Sequence, residues 1–150
     1  MTDFCLAEKR IDVRGRIYIE ISRDGEIIEV MDDENLIVNG SKTVLSNLLG
    51  GNVANNSITQ IGFGTNGTAP VVGNTALTGA FVKSVDSVTY PSSNIAQFNF
   101  SLGSTEDNGM SIAEFGLLTA GNTLFCRRVR GSALVKNTSI TLSGNWQISF

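Results

Sequence analysis

The chain has 150 residues, 41% of them hydrophobic, enough to bury one core and too few for a second full domain at roughly 100 to 200 residues per domain. A formal net charge of −3 excludes a broad cationic footprint for nucleic acid, and the low charged content of 17% predicts a neutral surface rich in Gly, Ser, Thr and Asn. Histidine is absent, which excludes Ser-His-Asp and Cys-His nucleophiles, and Cys5 and Cys126 have no CxxC spacing, so unpaired or buried thiols are expected rather than zinc or redox chemistry.

Residues 1–14 mix charges with apolar side chains, and no run is long enough for a signal peptide or for the ~20 apolar residues of a membrane span. A soluble chain made in the cytosol is expected. Residues 1–14 read as an N-terminal arm whose Met1, Phe4 and Leu6 insert into a neighbouring subunit, or as a frayed end. Residues 15–150 read as one domain.

Within that domain, Ile17, Ile19 and Ile21 alternate with Arg16, Tyr18, Glu20 and Ser22, the period of a half-buried strand. Asp24-Gly25 favours the positive φ angles of a type I′ turn, and residues 26–31 return as the second strand of a hairpin. Asp32, Asp33 and Glu34 read as a solvated loop. With Asn35 they offer oxygen ligands for calcium, at a spacing that matches no EF-hand. One short helix follows, with Ser41 as its cap, Val44, Leu45, Leu48 and Leu49 on one face, and Gly50-Gly51 as a left-handed stop.

Extended runs then recur at 60–63, 80–90, 95–102, 112–118, 123–130 and 139–150, separated by Gly, Asn, Pro or Ser. In the last of them Ile140, Leu142, Gly144, Trp146, Ile148 and Phe150 share one face. The pattern predicts an all-β fold: an antiparallel β-sandwich, jelly-roll-like, of about eight strands with one short helix. The long connection 64–79 is expected to cross between sheets.

Gly62-x-Gly64-x-x-Gly67 has the spacing of a dinucleotide fingerprint, but that motif needs its third glycine to open a helix. Pro70 holds Ala69 extended and no helical period follows, so the segment reads as a glycine-rich loop between strands. Asp86, near the distance of a ribose-binding acid, is then a coincidence of composition. The carboxylates Glu106 and Asp107, or Asp32 to Glu34, lie among turn residues rather than across a cleft, which weighs against a glycosidase. Arg127, Arg128 and Arg130 stand out in a weakly charged chain. Phosphate contacts, a solvated edge strand and ion pairs across a subunit boundary are all open to them; the last is favoured because no stacking aromatics interleave. No catalytic residue, cofactor, metal, nucleic-acid or membrane partner is expected.

The order of NLIVNG (35–40) before a Leu-rich helix, IGFGT (61–65) with TAP (68–70), NTAL (74–77), IAEFGL (112–117), TLFCR (123–127) and the closing WQISF (146–150) resembles small β-rich virion structural proteins of tailed bacteriophages. The resemblance spans residues 35–150. It implies a head decoration or cement protein that trimerises and binds the major capsid protein, or a tail, baseplate or fibre-attachment part, made in the host cytoplasm and resident in the virion. Phe4, Leu6, Phe63, Pro70, Arg127, Arg128 and Arg130 are the candidate interface residues. A carbohydrate-binding module, with Trp146 and Tyr90 as stacking aromatics, is the alternative of another class.

Overall fold

The computed structural model describes residues 10–150, so Met1, Phe4, Cys5 and Leu6 lie outside the described residues. β1 (Arg14–Arg23) and β2 (Glu26–Ile37) form an antiparallel hairpin. Asp24 and Gly25 join them at φ 51° and 85°, the two left-handed positions of a type I′ turn. Ile17, Ile19 and Ile21 are fully buried, as their alternation predicts.

β2 is longer than expected because the acidic group continues the strand instead of leaving it as a loop. Tyr18 faces Asp32, Ile17 faces Asp33 and Arg16 faces Glu34 across the ladder. Strand alternation sends Asp33 to the opposite face from Asp32 and Glu34. Arg16 holds Asp32 through Nε at 2.7 Å and Nη2 at 2.9 Å, so these acids are spaced along a strand and do not gather around a common point.

The helix α1 (Gly40–Leu49) takes Asn39 as its N-cap, without a side-chain capping bond. Ser41 is buried in the first turn and does not cap. The stop is the expected one: Gly51 adopts φ 82° and donates to Leu48 O at 3.1 Å. Val44 is buried, with Leu45 and Leu48 packed against the core. Leu49, assigned to the same face, ends the helix with nothing packed over it and is 92% exposed.

Seven further strands follow, β3 (Ile58–Gly64), β4 (Phe81–Ser84), β5 (Ser87–Ser92), β6 (Ile95–Leu102), β7 (Ser111–Thr119), β8 (Leu124–Val135) and β9 (Ile140–Ser149). The run expected over 80–90 is divided at a corner. Val85 donates to Thr59 O and Asp86 to Asn99 O, so the chain leaves the β3 side and joins the β6 side within two residues. That corner makes nine strands among the described residues, where the sequence pattern predicts about eight.

All pairings are antiparallel, in the order β4-β3-β7-β8-β2-β1-β9-β6-β5. The hydrogen bonding is continuous, so this is one curled sheet rather than the two separate sheets of a jelly roll. β2 provides the continuity: it pairs with β1 along most of its length, and then Leu36 and Ile37 pair with Arg127 and Cys126 of β8. The curl brings Ile19, Phe100 and Trp146 of one half into a common core with Ile61, Phe63 and Phe115 of the other. Phe63 meets Phe100 and Phe115 edge-on at 6.3 and 5.9 Å between centroids, contacts worth about 0.5–1.5 kcal/mol each beyond their burial. Phe150, expected to continue the inward face of β9, lies past its last residue and is half exposed.

Residues 65–80 do not cross between sheets. β3 and β4 are hydrogen-bonded neighbours, so this long segment leaves and returns to the same edge.

Candidate functional site

What holds that long segment explains the glycines. Gly62 and Gly116 face each other on β3 and β7, and a Cβ on Gly62 would sit 2.5 Å from Leu77 Cδ1, one on Gly116 3.1 Å from the same atom. The two glycines make the hollow that takes Leu77. A Cβ on Gly64 would overlap the Glu114 side chain, with Cγ at 2.8 Å. The spacing that resembles a phosphate-binding turn therefore admits two side chains of this protein, and the segment after Gly67 is not helical.

Glu114 and Arg127 are the anchor. Both are buried, and Arg127 Nε donates to Glu114 Oε2 at 2.6 Å. The other carboxylate oxygen accepts from Thr78 N at 2.7 Å and Asn66 N at 3.3 Å. Arg127 completes its fork with Asn74 Oδ1 at 3.0 Å and the carbonyls of Asn66 and Thr68 at 3.0 and 3.1 Å. A fixed planar donor set suits such a task better than a lysine point charge. The buried charges are thereby paired and their hydrogen-bonding capacity used, the condition under which burial is tolerated.

The other two arginines are also committed within the chain. On the N-terminal side of Leu36, β2 has no register pairs with β8, and an opening of about 570 Å³ lies between Glu29–Asp33 of β2 and Arg128–Ser132 of β8. Arg128 reaches across it to Asp33 and Arg130 to Glu29, each at 3.0 Å. All three arginines form ion pairs inside this chain. Of the other candidate contacts, Phe63 is core, Pro70 lies partly exposed in the 65–80 segment, and Phe4 and Leu6 fall outside the described residues. Trp146 is fully buried with Nε1 donating to Asn35 Oδ1 at 2.8 Å, so it presents no face to a sugar.

Glu106, one of the acids weighed for glycoside chemistry, is held within the structure. Lys83 Nζ donates to Glu106 Oε1 and to Ser101 O, both at 2.8 Å, and Gly103 N donates to the same Glu106 oxygen at 2.9 Å. The Lys83 bond, then the Gly103 amide, hold the Glu106 carboxyl below its ordinary range. A depressed folded value contributes stability that is present above the unfolded pKa of about 4.3 and is lost as pH falls through the folded value. Glu106→Gln should accordingly flatten the acid limb of a melting-temperature profile. An acid limb identical to that of the unaltered chain would refute the assignment.

An apolar opening lies between α1, the start of β3 and strands β5, β6 and β9. Leu45 and Leu48 of α1, Tyr90 of β5, Ala96 and Phe98 of β6 and Phe150 help to line about 410 Å³ with no charged side chain among its walls. Tyr90 is 74% exposed at its rim. The Cys126 thiol is fully buried and desolvation pushes its pKa far up, which makes it a poor nucleophile. Among the described residues no group of His, Cys, Asp and Glu is placed to hold a metal ion, and no helix is long and apolar enough to cross a membrane.

Comparison with protein-family models, with curated proteins and with solved structures finds no match.

Proposed function

We propose that this chain is a non-catalytic virion structural protein of a tailed bacteriophage, a decoration protein that binds the outer head surface and bridges capsid subunits. The observation that carries a protein-docking role is the groove between α1, β3 and β5, whose walls carry no charged side chain. Such walls fit an uncharged apolar segment of a neighbouring protein, since a charged one would be desolvated there without a counter-charge. The order of segments from NLIVNG to WQISF, with its resemblance to virion proteins of head and tail, supports the virion assignment; the head and the trimer are the reading put to the test. Many copies on a repeating lattice let modest contacts add up.

The test uses expanded capsids that lack the protein. Purified chain should add to them to a fixed stoichiometry and raise the temperature at which they release their contents. Label found at the tail tip of intact virions, or capsids whose heat resistance is unchanged by saturating protein, would overturn the head assignment.

A further inference from the structure

One polar cluster belongs neither to the groove nor to the anchored segment. Lys136, just after β8, is completely buried, a state lysine rarely occupies without a counter-charge. No carboxylate lies within 4.0 Å of its amine among the described residues. Its Nζ donates instead to Asn108 Oδ1 at 2.9 Å and to the Asn137 carbonyl at 3.1 Å.

The geometry around that contact is fixed from several sides. Asn108 Nδ2 donates to Ser104 O at 3.0 Å, which turns the carbonyl end of the amide to the lysine. Gly109 N donates to Lys136 O and Lys136 N to Met110 O, both at 2.9 Å, so the two backbones are clamped together at this point. Asp107, the residue before the amide, has a buried Oδ2 with no hydrogen-bond partner.

We propose that Lys136 and Asn108 join through an intramolecular isopeptide bond. The free amine of Lys136 attacks Asn108 Cγ, which lies one C=O bond beyond an oxygen already in contact, within about 4 Å of Nζ. The Nζ–Cγ bond forms, the Cγ–Nδ2 bond breaks, and Nδ2 leaves as ammonia with the proton the amine gives up. Nothing is oxidised or reduced and no co-reactant is consumed. Asp107, the neighbour of the amide in the chain, with a buried Oδ2 that has no hydrogen-bond partner, is the group assigned to take the proton from the amine and pass it to the departing nitrogen.

The protonation states run in the required directions. Burial lowers the Lys136 pKa, against the opposing pull of Asp107 and Glu106, and so enriches the free amine. Burial likewise raises the Asp107 carboxyl, against the charge of Lys136.

Mass spectrometry of the denatured chain tests this. The unaltered protein should be lighter than its sequence by one ammonia, and a digest should yield a branched peptide joining the segments around 108 and 136. A succinimide at Asn108-Gly109 would lose the same ammonia, so Lys136→Arg separates the two: it should restore the full mass and, by opening a closed loop of about thirty residues, lower the melting temperature by roughly 10 °C. A full-mass native protein, or a deficit that persists in Lys136→Arg, would overturn the proposal. Should that variant not fold, the presence or absence of the branched peptide in the unaltered chain decides the matter alone.

Discussion

Arg127→Ala is expected to destabilise the folded chain by about 3–5 kcal/mol, because it leaves Glu114 as an uncompensated buried charge. The loss extends beyond the ion pair. Arg127 also holds Asn74 and two carbonyls of the 65–80 segment, while Glu114 accepts two of its amides. Amide exchange should therefore accelerate through residues 65–80 in the variant while β1 and β9 stay protected. Joint replacement by Glu114→Leu and Arg127→Met should cost less than the sum of the two single changes, since no lone charge remains. Denaturant midpoints at constant m give the values for Arg127→Ala, the two single changes and their combination. A cost under about 1 kcal/mol for Arg127→Ala would mean that the pair does not anchor the segment.

Trp146→Ala should cost about 3–5 kcal/mol, the range for removing a fully buried large aromatic. Trp146 sits at the centre of β9, opposite Ile17 of β1 and Phe98 of β6, so the cavity opens between three strands at once. Trp146→Phe retains most of the volume and isolates the hydrogen bond. It should cost about 1–3 kcal/mol by leaving Asn35 Oδ1 buried without a donor, in an amide whose Nδ2 already lacks a partner. Thermal unfolding of both variants measures the difference. No loss in Trp146→Phe would show that the indole nitrogen contributes nothing.

The sequence was most readable where one local rule had no competitor. Asp24-Gly25 specified its own turn, and the alternation of Ile17, Ile19 and Ile21 specified the inward face of β1. Where two rules met, the outcome depended on partners distant in the chain. Asp32 to Glu34 have the composition of a loop, yet Arg16 and Arg128 supply counter-charges that let them continue a strand. A corner such as Val85-Asp86 has no Gly or Pro to announce it, and its amides bond to Thr59 and Asn99 rather than locally. The lone glutamate in the apolar run IAEFGLL was the legible hint of an inward-facing charge. Pairing it with Arg127 required knowing that β7 and β8 are neighbours. The groove was illegible for a similar reason: Leu48, Tyr90 and Phe150 come from three elements, and only the curl of the sheet assembles them.

The most direct test of the proposed role is a binding titration on expanded capsids with the unaltered protein and with Tyr90→Glu. Tyr90 stands exposed at the groove rim, so its replacement should leave the melting temperature unchanged while placing a charge where an apolar segment would seat. The proposal predicts saturable binding of the unaltered chain and at least a tenfold weaker affinity, about 1.4 kcal/mol, for the variant. Equal binding by both proteins, or binding by neither, would contradict it.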